Sequence, residues 1–247
     1  MLQKEIELFN EYVNDFDSLE ENIIRKKEHS IRVMNHSIMI AKSLGLNEED
    51  IYLAGLIGLL HDIGRFPQWQ MFHTFNDLIS VDHGVLGAEI LKKNNYIKKY
   101  ISDEESISII LAAIINHNKF KIDSSVTGDT VIFSQIIRDA DKIDIMEYLG
   151  NNPLKDGVKC SHNFVVNLEN EELLLNAKVN NEADLVIRML CFIFDLNTRY
   201  AINYVLDNHL IEQKINLLKG HIEEKIDLEK IKEELILKLK NKSGING

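Results

Sequence analysis

The chain has 247 residues, with 28 Lys and Arg against 39 Asp and Glu, a formal net charge of −11, 2 Pro and 2 Cys. That length allows one large domain with a substantial core. The acidity argues against nucleic-acid polymers and anionic membrane surfaces as partners, because like charge repels them. Cys160 and Cys191 are too few for a disulfide framework. The opening MLQKEIELFN lacks the basic-then-apolar order of a signal peptide, and no apolar run approaches the ~18 residues of a membrane span. The expected setting is therefore soluble and cytoplasmic.

Scarce proline predicts long uninterrupted helices. Ile6, Phe9, Tyr12, Val13 and Phe16 recur at helical spacing, and Ile31, Met34, Ile38, Ala41 and Leu44 form a second stripe over residues 28–44 closed by Gly45. Asn47 reads as the N-cap of a helix from Glu48 to about Asp62, with Glu49 and Asp50 in its first turn. Its segment IYLAGLIGLL is apolar on every side, which predicts a place at the centre of the core. Further helices are expected at about 83–95, 103–117, 129–149, 182–206, 208–219 and 227–241, with loops at 64–82, 118–128 and 150–170. Weak alternation from Phe164 to Leu168 leaves room for a minor strand only. The expectation is an all-α fold: one helical domain over 1–220, then a satellite helix and fraying tail over 221–247.

The core helix ends in His61-Asp62, a costly pair to bury without a partner, and a metal ion is one way to offset that cost. His29 lies one helix upstream, in HSIRV, and RDADKID places Asp139 and Asp141 downstream. The ordered set His29, His61-Asp62, Asp141, with the local patterns HSIRV, LLHDIGR and RDADKID, resembles the HD-domain superfamily of metal-dependent phosphohydrolases over roughly Glu28 to Leu149. The resemblance implies an HD-type all-α bundle, with additional C-terminal helices here. It also implies a divalent ion held by His29, His61, Asp62 and Asp141. Asp139 is the competitor of Asp141; two residues apart they stand about 200° apart on a helix, so both cannot face one ion. Asp141 matches the Ala-Asp-hydrophilic-aliphatic run and is preferred. His83 and His117 fall between the pair and Asp141, where some superfamily members hold a second metal, so one or two ions are expected. The single His at His117-Asn118 departs from the His-His doublet of cyclic-dinucleotide phosphodiesterases and is also similar to HD-type di-iron oxygenases.

Imidazole and carboxylate ligands suit Mn, Fe, Co, Ni or Zn. Such an ion activates water for attack on a phosphoryl group, with Asp62 as ligand and candidate proton acceptor. Arg65 is the foremost candidate cation at the pocket rim, with Lys119, Arg138 and Lys142 also considered. Trp69, Phe72 and Phe75 read either as a stacking platform or as ordinary loop packing, and Asp195 and Arg199 as an i,i+4 pair. The expected partner is a small phosphorylated molecule, a nucleotide foremost, with no nucleic-acid polymer and no membrane; a homo-oligomer stays open. The alternatives are a di-iron oxygenase and a regulatory module that binds metal or nucleotide without turnover.

Overall fold

The computed structural model describes residues 2–17, 19–174, 178–223 and 226–244. Among them the secondary structure is helical, apart from one isolated bridge between Val158 and Ile222. No described helix is long and apolar enough to cross a membrane. The chain divides into two compact units, Met1–Asp141 and Lys142–Gly247.

In the first unit, α1 (Gln3–Val13) leads to α2 (Glu21–Ser43), which starts seven residues before its expected Glu28. The side chain of Glu20 accepts from the N–H of Asn22 and caps it there, while Ile23 already lies on the buried face. α3 (Glu48–Leu60) is capped by Asn47, whose side chain accepts from Asp50 N, as its sequence predicts. Leu53 to Leu60 are all buried, each Leu or Ile contributing about 1.5–3 kcal/mol. α2 and α3 approach so closely that a Cβ on Gly58 would stand 2.7 Å from Ser37 Oγ and 2.8 Å from Met34 Cα. Only glycine fits there, and this crossing sets His29 on α2 beside His61 at the end of α3.

The predicted loop 64–82 contains a helix, α4 (Arg65–Phe72), and a 3-10 turn, Asp77–Ile79. Pro67 is tolerated because it sits in the first turn, where its missing N–H has no intrahelical partner to lose. α5 (His83–Lys92) is capped by the Asp82 carboxylate, which accepts from Gly84 N and Val85 N. It stops short of 95 because Asn94 and Asn95 both take left-handed backbone at φ 54°, a conformation asparagine tolerates. α6 (Glu104–Asn116) and α7 (Asp129–Tyr148) complete the unit, α7 running on past Asp141.

The second unit gathers α8 (His162–Glu169), α9 (Glu182–Cys191), α10 (Arg199–Asp207), α11 (Leu210–Leu218) and α12 (Leu228–Ser243). Their core includes Met146, Phe164, Ile187, Leu190, Val205, Ile215 and Leu239. Phe164 and Leu168, read as a weak alternation, are the two buried positions of α8 at i,i+4. The expected continuous helix 182–206 is broken by a 3-10 turn at Phe192–Asp195 and a fresh N-cap at Thr198, which accepts from Ala201 N. Asp195 pairs with Lys142 at 2.8 Å. The end of the tail expected to fray, 245–247, lies outside the described residues.

Candidate metal centre

His61 follows the last turn of α3, and His117 the last turn of α6. In each, the ring Nδ1 points back at a carbonyl three residues earlier: His61 Nδ1 to Gly58 O at 2.8 Å, His117 Nδ1 to Ile114 O at 2.6 Å. A carbonyl oxygen only accepts, so Nδ1 carries the hydrogen and the neutral ring presents a bare Nε2 lone pair. His83, first residue of α5, is fixed the same way by a carboxylate, with Nδ1 2.6 Å from Asp77 Oδ2.

These Nε2 atoms converge. His61 Nε2 lies 3.3 Å from His29 Nε2, and His83 Nε2 lies 2.9 Å from His117 Nε2. Between the two pairs stands the buried carboxylate of Asp62. Its Oδ2 faces His29 and His61 at 3.5 and 3.6 Å, and its Oδ1 faces His83 and His117 at 3.3 and 3.8 Å. Asp141 Oδ1 joins the first pair, 3.1 Å from His29 and 3.6 Å from His61. Asp141 therefore stands in the cluster with His29 and His61. The arrangement has two lobes: His29, His61 and Asp141 on one side, His83 and His117 on the other, Asp62 common to both.

The electrostatics favour a cation in each lobe. Burial pushes His83 and His117 below the usual imidazole range, Arg65 adding to the shift at His83 and the neighbouring imidazoles at His117. Protonating either ring to make a His83–His117 hydrogen bond is therefore disfavoured, and two neutral rings set opposing lone pairs 2.9 Å apart. A metal ion relieves that opposition by accepting both lone pairs. Burial opposes the charge on Asp62 and Asp141 too. Lys26 foremost, with Arg65, holds Asp62 well below the carboxylate range, and a hydrogen bond from His29 does so for Asp141. The donor atoms of His29, His61 and Asp62, and those of Asp62, His83 and His117, each lie within 4.8 Å of one another. This donor set fits a divalent ion with mixed nitrogen and oxygen ligands.

The candidate cations differ in their surroundings. Arg65 stands at the margin, its Nε 3.5 Å from Asp62 Oδ1, with Nη1 donating to Asp77 Oδ1 at 2.8 Å, Phe75 O at 2.6 Å and Gln68 Oε1 at 2.7 Å. Its Nε is buried and makes no hydrogen bond. Lys119 is engaged by Asp82, the N-cap of α5. Lys142, one residue beyond Asp141 and so about 100° further round α7, pairs with Asp195 at 2.8 Å. Arg138 is a clamp: fully buried, it donates to the carbonyls of Asn116 and Lys119 at 2.8 and 2.6 Å, binding the carbonyl end of α6. A cation there opposes the negative end of the helix dipole and holds His117 in place.

Two participants have no counterpart in the sequence reading. Lys26 Nζ lies 2.7 Å from Asp62 Oδ2; it precedes His29 by three residues on α2, and that shared face is the only signal it leaves in the sequence. Asp77 accepts from His83 Nδ1, Arg65, Gln68 Nε2 and Asn118 Nδ2 at 2.6, 2.8, 2.9 and 3.1 Å. It lies in the 3-10 turn that was expected to be loop. Gly64 completes the frame: a Cβ there would stand 2.3 Å from His83 O and 2.8 Å from Gly87 N, so the start of α5 docks directly on the chain after Asp62.

The family model described as HD domain matches residues 27–146. No curated protein and no solved structure gives a match.

Proposed function

Because the chain belongs to the HD-domain superfamily, we propose that it is a metal-dependent phosphohydrolase that hydrolyses a small phosphorylated molecule, a nucleotide foremost. The observation that carries this reading is the two pairs of opposed imidazole Nε2 atoms with the Asp62 carboxylate between them. His29, His61, Asp141 and Asp62 Oδ2 would hold one ion; His83, His117 and Asp62 Oδ1 would hold the second. Bound divalent ions supply activated water and polarise phosphoryl oxygens.

The chain's own groups do the rest. Asp62 faces Lys26, Arg65 and four imidazoles, so it is a weak base and serves as ligand more than as proton acceptor. The unsatisfied Nε–H of Arg65 and the ammonium of Lys26 are the donors placed to meet phosphoryl oxygens at the margin. Both are preorganised, Arg65 by Asp77 and Lys26 by Asp62, which lowers the reorganisation needed as charge develops on the transferring group.

The test is a panel of phosphomonoesters and phosphodiesters offered to protein loaded with Mn, Fe, Co, Ni or Zn, with Asp62→Ala as control. Phosphate release that disappears in Asp62→Ala is expected. No turnover across the panel would overturn the reading: oxygen consumption by iron-loaded protein would move the site to a di-iron oxygenase, and ligand-dependent thermal stabilisation without product would make it a regulatory module.

A further inference from the structure

Three cations converge on one ring beside the metal centre. The centroid of Phe75 lies 5.7 Å from Arg25 Cζ, 5.4 Å from Lys26 Nζ and 5.7 Å from Arg65 Cζ, and the Trp69 ring packs on it at 5.0 Å. Surrounded in this way, Phe75 serves to gather cations, and stacking of a nucleobase on it is not what its neighbours favour. The ring quadrupole attracts each cation, while the three positive charges repel one another.

Two of the three have a compensating carboxylate. Lys26 is paired with Asp62 at 2.7 Å and Arg65 with Asp77 at 2.8 Å. Arg25 is exposed; its guanidinium donates to the neutral Asn22 Oδ1 at 3.0 Å, and no carboxylate among the described residues pairs with it. A positive charge held against two others, without an acid of its own, is a place for an anion. In a chain of net charge −11 it is also a local reversal of sign.

We propose that Arg25, Lys26 and the Phe75 ring form a subsite for a second phosphoryl group, so that the substrate carries a diphosphate with one phosphoryl at the Asp62 cluster and the next on Arg25. Lys26 links the two positions, because its ammonium touches Asp62 and lies on the same ring as Arg25. The subsite rests on the phosphohydrolase reading, since it places the first phosphoryl group at the metal centre.

Calorimetric titration of the ion-loaded protein with inorganic phosphate and with inorganic pyrophosphate tests it, metal content being measured afterwards so that stripping of the ions is not scored as binding. Wild type is expected to bind pyrophosphate about tenfold or more tightly than phosphate. Arg25→Gln should remove most of that preference while changing phosphate affinity less than about twofold, and Arg25→Lys should keep a larger part of it. Arg25 is exposed, so these variants should fold, and their thermal unfolding checks this. Phosphate binding without a pyrophosphate preference, or equal losses for both anions in Arg25→Gln, would overturn the subsite and leave the phosphohydrolase reading standing. Failure of both anions to bind wild type would overturn the two together.

Discussion

Replacing Asp77 by Asn changes one oxygen to an NH2 group and keeps the size. In the native site Asp77 accepts four hydrogen bonds, from His83 Nδ1, Arg65 Nη1, Gln68 Nε2 and Asn118 Nδ2. An amide cannot serve all four, because whichever way it turns, one side sets a donor against donors. With the NH2 towards His83, the ring must give up its Nδ1 hydrogen and place it on Nε2, which withdraws the lone pair aimed at His117 and Asp62. With the NH2 reversed, it meets the Arg65 guanidinium. A carboxylate behind a metal-binding imidazole contributes about 10–100-fold in metal affinity, equivalent to roughly 1.4–2.7 kcal/mol. Asp77→Asn should therefore weaken the second ion by that factor and leave the ion at His29, His61 and Asp141 within about threefold of wild type. Competition titration with a chromophoric chelator, read as two successive affinities, measures both. Equal weakening of the two ions, or no weakening of either, would refute the assignment of Asp77 to the His83 lobe.

Three other outcomes follow from the same geometry. Arg138→Met should unfold at lower temperature, losing about 2–4 kcal/mol, because it strands the carbonyls of Asn116 and Lys119; a change below about 1 kcal/mol in chemical denaturation would contradict the clamp. Gly64→Ala sets a methyl against backbone atoms of His83 and Gly87, so it should lower stability by about 1–3 kcal/mol and reduce metal binding at His83; normal metal content would show that α5 can move aside. The ion-free protein should lose stability as pH falls below the usual imidazole value of 6.5, since unfolded His83 and His117 take up protons that their depressed folded values refuse. Denaturation at pH 7.5 and pH 5.5 should show a shallower dependence for a His83→Gln, His117→Gln double variant, and an equal or steeper slope would count against it.

Much of the His and Asp cluster was legible in the sequence because each member is tied to a local feature. His61-Asp62 ends a helix too apolar to expose, His83 follows the Asp82 cap, and Asp141 lies on a helix with its own apolar face. The supporting groups were not legible. Asp77 and Gln68 become partners of Arg65 and His83 only once residues 65–82 fold into α4 and a 3-10 turn. Position after Asp62 singled out Arg65, while charge sign alone could not separate Lys26, which also faces Asp62, from Arg138 and Lys142, which serve a helix end and Asp195. The break at Phe192–Asp195 was hidden for a similar reason: FIFD carries no helix-ending residue, and the Thr198 cap beyond it is a weak signal when read alone.

The two-lobed centre is tested most directly by metal content per chain after loading and desalting, wild type against a His83→Ala, His117→Ala double variant. Two ions in wild type and one in the double variant are expected, with both proteins folded by circular dichroism. One ion in wild type, or two retained in the variant, would contradict a second ion held by His83, His117 and Asp62.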